Sequence, residues 1–245
     1  MGGDGRSLDV LIERCSSMPA ARGFGTALQN GDAPIAVISE IKRRSPSKGD
    51  LFPDLDAGVL AQDYERGGAS CLSVLTDVAW FGGSVADLQQ ARAATTLPVI
   101  RKDFTVDARD VADARLMGAD CVLLIAAALD DQELADFHQL ALELGIDALV
   151  EVHDEAELER ALTVDAKIIG VNQRDLVTFE VDQDRAVRVG AKIPAGVVKV
   201  AESGVRNRDD AIALHAAGFD ALLVGETLVR SGTPGDEVRR LRGLD

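Results

Sequence analysis

Three observations point to one α/β domain, a (β/α)8 TIM barrel with a short N-terminal extension. Short apolar runs alternate with stretches of helical spacing along nearly the whole chain, the core must be aliphatic, and polar residues gather where the apolar runs stop. Hydrophobic residues make up 47% of the sequence and aromatics only 4%, so the core is built from Ala, Val, Leu and Ile, as in parallel strands covered on both faces. A doubly wound sheet would have fewer strands and an early glycine-rich nucleotide turn. No Pro/Gly/Ser-rich linker divides the chain. The expectation is therefore a barrel over residues 33–245 and an extension over 1–32 that is partly helical, with a helix from Leu8 to Cys15.

The first unit begins with the strand Ala36–Glu40 and continues into the helical stretch Val59–Arg66. Then come the strand Cys71–Leu75 with Val85–Ala94, Pro98–Lys102 with Ala108–Met117, Cys121–Ala126 with Asp131–Leu144, and Ala148–Val152 with Glu155–Leu162. Ile168–Asn172 follows, with no helix assigned after it, then Val198–Glu202 with Arg208–Ala217, and finally Ala221–Gly225. Helical stretches stop at Gly67-Gly68, Gly118, Gly145 and Gly218, where glycine can supply the left-handed helix end. Gly118-Ala119-Asp120 and Gly218-Phe219-Asp220 lead into matching strands, a weak internal repeat consistent with a duplicated barrel.

The candidate chemistry lies at the C-terminal ends of these strands, where barrel enzymes carry their sites. The first strand runs into S-E-I-K-R-R-S-P-S-K-G at residues 39–49, and Glu40 and Lys42, two apart, share one face while the strand persists. Such a mouth, with hydroxyls including Ser45, suits an anionic, phosphorylated small molecule. Lys102 ends the third strand in R-K-D-F, and Glu151 ends the fifth in L-V-E-V-H. Desolvation there is expected to lower the lysine's pKa and raise the glutamate's, toward general acid and base use. The plainer alternative is ion pairing, of Lys102 with Asp103 or a glutamate, and of Glu151 with Lys102 or Lys42. Asn172 and Arg174 face one way after the sixth strand, and an Arg fork suits a carboxylate. Glu202-Ser203-Gly204 and Gly225-Glu226 end the last two strands, where backbone N–H groups of such barrels commonly hold a phosphate. The fourth strand, ending in Ile125-Ala126-Ala127, has no polar terminus.

Charge and motif absences narrow the function. A net charge of −15 argues against nucleic acid, which needs a basic surface, so any anion site must be local. Cys15, Cys71 and Cys121 are far apart and read as core residues or thiols without a disulfide or zinc framework. His138 and His215 are expected on helix surfaces, and His153 near Glu151. No histidine pair has metal-ligand spacing, and neither a P-loop nor G-x-G-x-x-G is present, so the expectation is acid–base chemistry without metal or cofactor. No secretory h-region and no apolar stretch near 20 residues occur, so a cytoplasmic protein off the membrane, monomeric or weakly homo-oligomeric, is expected.

From Ala36 to Leu228 the chain resembles the indole-3-glycerol phosphate synthase family. The motifs that carry the likeness are S-E-I-K-R-R-S-P-S-K-G, L-T-D followed by F-G-G-S, R-K-D-F, L-V-E-V-H, I-I-G-V-N-Q-R-D-L-V-T-F and A-E-S-G-V. The resemblance implies a cofactor-free barrel that closes the indole ring of 1-(2-carboxyphenylamino)-1-deoxyribulose 5-phosphate with loss of carbon dioxide and water. It makes Lys102 a general acid at the carbonyl and Glu151 a general acid/base, with Lys42 holding substrate charge or sharing the acid role. Glu40, Asn172 and Glu202 would orient the substrate, Arg174 would support its carboxylated aryl end, and Ser45, Ser203, Gly204, Gly225 and Glu226 would line the phosphate side. Gln173 stands where the family often has a second Asn, and Glu226 where some members have Ser. The region before Ala33 lacks the family's usual charged helix, which leaves the active-site cover open. Alternatives are a sugar-phosphate isomerase barrel or a non-catalytic barrel that binds a phosphorylated ligand.

Overall fold

The computed structural model of the protein describes residues 6–46, 48–174 and 180–243. Ser47 and the 175–179 end of the I-I-G-V-N-Q-R-D-L-V-T-F motif lie outside them. Eight parallel strands close into a barrel: β1 Ala36–Ile41, β2 Cys71–Leu75, β3 Val99–Lys102, β4 Cys121–Ile125, β5 Asp147–Val152, β6 Ile168–Asn172, β7 Val198–Glu202 and β8 Ala221–Val224. Each strand pairs with its neighbours in the chain, and β1 pairs with β8 through Ala36 opposite Ala221. The expected barrel is therefore the observed one, with small shifts at strand ends. Pro98 stays outside β3 because it has no N–H for the ladder, although its carbonyl accepts from Leu72. Ala126 instead begins a short 3-10 turn, and Gly225 precedes a short helix, Glu226–Arg230.

Side chains alternate between two cores. One set, including Ile38, Ile100, Leu123, Leu149, Val200 and Leu223, fills the barrel. The other, including Val37, Leu72, Val122, Val150, Ile169 and Leu222, packs outward with the helices. Because the period of a strand is two, the inward parity passes from Ile38 to Glu40, from Ile100 to Lys102, from Leu149 to Glu151 and from Val200 to Glu202. Barrel register then puts these four at one height. Glu40 is opposite Ser73, and Ser73 opposite Ile100, two residues below Lys102. Glu151 is opposite Gly170, and Gly170 opposite Val200, two below Glu202. The four therefore form one layer drawn from alternate strands, as this barrel type builds its interior.

Polar caps fix where the helices begin. Asp56, Asp107, Asp130, Asp154, Asp182 and Asn207 each accept a backbone N–H in the first turn of their helix. Gly118 ends the helix Ala108–Met117 at φ 98°, a left-handed conformation that a Cβ would strain. Among the described residues, helices beyond the assigned stretches include Gln183–Gly190 between β6 and β7, Pro234–Arg242 after β8, and Phe24–Gln29 before β1, besides the short turns Val78–Phe81 and Glu226–Arg230.

The segment before β1 seals the end of the barrel opposite the chemistry. The helix Leu8–Ser16 packs on Ala108–Met117, while Phe24 and Leu28 of the helix Phe24–Gln29 enter the interior cluster. Hydrogen bonds tie this plug to first residues of strands or those just before them. The Phe24 carbonyl accepts from Cys71 at 3.7 Å, Gly25 N–H donates to Asp147 at 2.9 Å, and Arg22 N–H donates to Asp120 at 2.8 Å. Phe24 is fully buried, so Phe24→Ala should cost about 3–5 kcal/mol in denaturant unfolding. A loss below about 1 kcal/mol would show that the plug does not contribute to the barrel's stability.

Candidate active site

All of the candidate residues, Glu40, Lys42, Ser45, Lys102, Glu151, Asn172, Arg174, Glu202, Ser203, Gly204, Gly225 and Glu226, line one cavity of about 990 Å3 at the C-terminal end of the barrel. The first βα loop sorts its cations. Lys42 keeps the inward parity, enters the cavity and donates to Glu40. Arg43 turns outward, donating to both Asp87 oxygens and, at 2.8 Å, to the Leu55 carbonyl. Arg44 donates to the carbonyls of Ala79 and Trp80. Thus one of the three consecutive cations faces the site, and the other two hold the loop in place.

Lys102 is the centre of the polar layer. Its ammonium donates to Glu151 Oε2 at 3.0 Å and to Glu202 Oε2 at 2.6 Å. An ammonium has three N–H bonds, so these two leave one for a molecule in the cavity. Asn172 Nδ2 donates to Glu151 Oε1 at 3.0 Å, while its own Oδ1 accepts from the Arg174 backbone N–H at 3.0 Å. Glu202 Oε1 is buried and accepts no hydrogen bond among the described residues. Room for it comes from Gly170, where a Cβ would stand 2.0 Å from that oxygen. Gly225 likewise leaves space for Glu40, whose Oε1 would lie 2.4 Å from a Cβ there.

The ionisation of this layer reverses the sequence expectation. Burial does disfavour the Lys102 cation, but the charges of Glu151, Glu202 and Glu40 outweigh it and raise the pKa above the ordinary lysine value. Burial also works to raise Glu151, yet the Lys102 charge, the Asn172 hydrogen bond and His153 hold it at about 2. The raised carboxylate is Glu202, pushed up to about 8 by burial and, against Lys102, by the negative charge of Glu151. One lysine cannot neutralise two buried carboxylates, so the layer takes up a proton at one of them. The ion pair offered as the plainer alternative is real, and it forms part of the cavity wall.

The loop just after β7 brings backbone to the cavity. Ser203 and Gly204 both adopt left-handed conformations, with φ 64° and 72°, and the strain at Ser203 is held by Gln173, whose side chain donates to the Ser203 carbonyl at 2.8 Å. Gln173, a departure from the family pattern, is therefore a buried tie between the loops after β6 and β7. A Cβ on Gly204 would meet Val181 Cγ1 at 2.7 Å, so this glycine admits a neighbouring loop as well as any ligand. The Glu226 carboxylate is paired with Arg230 at 3.4 Å, one helical turn on. Ser45 Oγ is buried with no hydrogen-bond partner among the described residues.

Several lining residues went unassigned in the sequence. Phe81 and Phe104 supply apolar surface, and their signal was present in F-G-G-S and R-K-D-F. Lys48, Arg206 and Arg230 add cations. His138 is buried rather than on the surface, since it lies one turn from Leu134 and Ala141 on the inward face of Asp131–Glu143. Among the described residues no group of three or more His, Cys, Asp or Glu side chains is disposed to hold a metal ion, and no helix is long and apolar enough to cross a membrane.

The Glu202 proton has a consequence for stability. An unfolded glutamate has a pKa near 4.5, whereas Glu202 in the fold holds its proton to about 8. Between those values the folded state binds more protons, so this group's contribution to stability falls as pH rises. Glu202→Gln, which cannot ionise, should flatten the decline in Tm between pH 6 and 8. Parallel Tm curves for variant and wild type would contradict the assignment.

Comparisons with known proteins bear on the fold and the family. Among solved structures the chain resembles 3-hexulose-6-phosphate synthase, at 17% identity and a TM-score of 0.67 over 85% of this chain and 98% of that one. It also resembles thiamine phosphate pyrophosphorylase from Pyrococcus furiosus, at 16% identity and a TM-score of 0.64 over 86% and 95% of the two chains. A third likeness, to N-acetylmannosamine-6-phosphate 2-epimerase from Clostridium perfringens, has 13% identity and a TM-score of 0.63 over 82% and 90%. At these identities the likeness is one of fold. The family model for indole-3-glycerol phosphate synthase matches residues 6–241, nearly the whole chain, and the chain belongs to that family of carboxy-lyases, which act on a phosphorylated small molecule.

Proposed function

We propose that the protein closes the indole ring of 1-(2-carboxyphenylamino)-1-deoxyribulose 5-phosphate, forming indole-3-glycerol phosphate with release of carbon dioxide and water. The observation that carries this reading is Lys102, an ammonium held between Glu151 and Glu202 with one N–H left for the cavity. In the ring closure, the aromatic carbon bearing the carboxylate bonds to the ketone carbon, and Lys102 protonates the carbonyl oxygen. The carboxylate leaves as carbon dioxide and returns its bonding electrons to the ring. The new hydroxyl then takes a second proton and leaves as water, while Glu151, held ionised by Lys102 and Asn172, accepts the proton the intermediate gives up. Two protons enter and one returns, so each turnover consumes one from solvent.

The remaining residues divide between the ends of the substrate. Phe81 and Phe104 suit the aromatic ring, and Arg174 its carboxylate. Glu40, Lys42, Asn172 and Glu202 orient the reacting centre and hydroxyls. Ser45, Ser203, Gly204, Gly225 and Glu226 line the phosphate side, the glutamate through its backbone because its carboxylate is engaged with Arg230.

Purified protein given this substrate should develop indole fluorescence and one carbon dioxide per indole, and absence of both would refute the reaction. Lys102→Ala should lower turnover by roughly 10²–10⁴-fold with native circular dichroism. Turnover near that of the wild type would remove Lys102 from the acid role. For the phosphate side, Ser45→Ala should raise KM with kcat nearly unchanged, since a hydrogen bond to a charged group is worth about 1.5–3 kcal/mol. An unaltered KM would place the phosphate elsewhere.

A further inference from the structure

Beyond the polar layer, a second, partly buried charge cluster follows β5. His153 follows β5 on the same inward parity as Leu149 and Glu151. Glu157, on the helix Glu155–Thr163, accepts the His153 backbone N–H at 2.7 Å and lies 3.0 Å from its Nδ1 through the same oxygen. That contact fixes the proton of a neutral ring on Nδ1. Nε2 is then left facing Glu151 Oε1 at 3.5 Å, buried and with no hydrogen-bond partner among the described residues. A neutral ring would turn its lone pair toward a carboxylate, and only an imidazolium, with a donor at each nitrogen, suits a carboxylate on both sides.

Every facing charge favours that cation. Glu151 approaches from β5 and Glu157 from the next helix, and Glu202 adds its charge from β7 once it ionises. Asp154 caps the helix by accepting the Glu157 N–H at 2.9 Å. Lys102 is engaged on the other oxygen of Glu151, and β6 offers the neutral Asn172. Arg160, on the same helix as Glu157, turns away to Asp131 and to the carbonyls of Ala126 and Leu129.

We propose that His153 is a positioning residue for the reaction: as an imidazolium clamped between Glu157 and Glu151, it holds Glu151 ionised and correctly turned. The proposal rests on the reading of Glu151 as the proton acceptor. Burial disfavours the cation, but the Glu157 hydrogen bond and the charges of Glu151 and Glu157 outweigh it, so the pKa of His153 stands above its ordinary value of 6.5. The clamp is therefore present at low and neutral pH and is lost as pH rises through the raised pKa. Glu151 then faces a lone pair in place of a donor.

The chain has three histidines, so the ring signals of His138, His153 and His215 can be followed together by NMR without substrate. His153 should titrate above 6.5 in the wild type, and Glu157→Gln should move its midpoint down. The kcat/KM profile should fall on its alkaline side at the same midpoint and shift with it in Glu157→Gln. In His153→Gln that limb should vanish, with kcat lowered about tenfold and KM within about twofold, the loss expected for one charge-assisted contact. A His153 midpoint at or below 6.5, or an alkaline limb that stays put when the midpoint moves, would overturn the clamp. If the wild type forms no indole product, the reaction fails and the role given to His153 fails with it. A normal wild-type rate with an unmoved limb overturns His153 alone.

Discussion

An ammonium with too many carboxylates around it organises the working end of this barrel. Lys102 is largely buried between Glu151 and Glu202, each within hydrogen-bond reach, and desolvation of a fully buried ion costs several kcal/mol. The arrangement persists because three strands deliver the groups at one height. The shear of the barrel sets Glu40, Lys102, Glu151 and Glu202 into a single layer from the odd strands, and the small residues Gly170 and Gly225 on even strands or their ends leave them room. The geometry of the polar layer is thus a property of strand register, which the plug at the far end helps hold closed.

Excess negative charge explains features that would otherwise look unrelated. Glu202 keeps a proton near neutrality because Lys102 cannot neutralise it and Glu151 together. Glu151 remains ionised because Lys102, Asn172 and His153 converge on it. The layer therefore contains a carboxylate that holds a proton beside one that does not, an arrangement that separates acid from base by environment rather than residue type. Around it the cavity is built by exclusion: Arg43 and Arg44 are spent on the loop, so Lys42 is the cation of that run that enters.

Much of this was legible in the chain because barrel sites gather at strand ends. Glu40, Lys102, Glu151, Asn172 and Glu202 are visible as polar letters closing apolar runs, and each lines the cavity, whereas the inward parity that puts four of them in one layer needed the strand register. Ionisation was not legible. Burial of Lys102 and Glu151 can be inferred from their neighbours in sequence, but the sign of each shift depends on partners 49 to 100 residues away. The plug was missed because Phe24–Gln29 is too short to show a helical period, and Gln183–Gly190 because its inward face rests on Ala186 and Val189 amid polar residues. His138 was misplaced by its residue type, although its spacing from Leu134 and Ala141 marks the buried face.

The central claim is that Lys102 is held as a cation by its two carboxylates, and the most direct measurement is its own titration. NMR of protein carrying labelled lysine, assigned by the loss of one signal in Lys102→Ala, reads the protonation of that amine. The account predicts that the Lys102 signal keeps its ammonium position through pH 10.5, where an ordinary lysine is half titrated. Release of the proton near neutral pH would show that desolvation outweighs the carboxylates, and it would contradict the account.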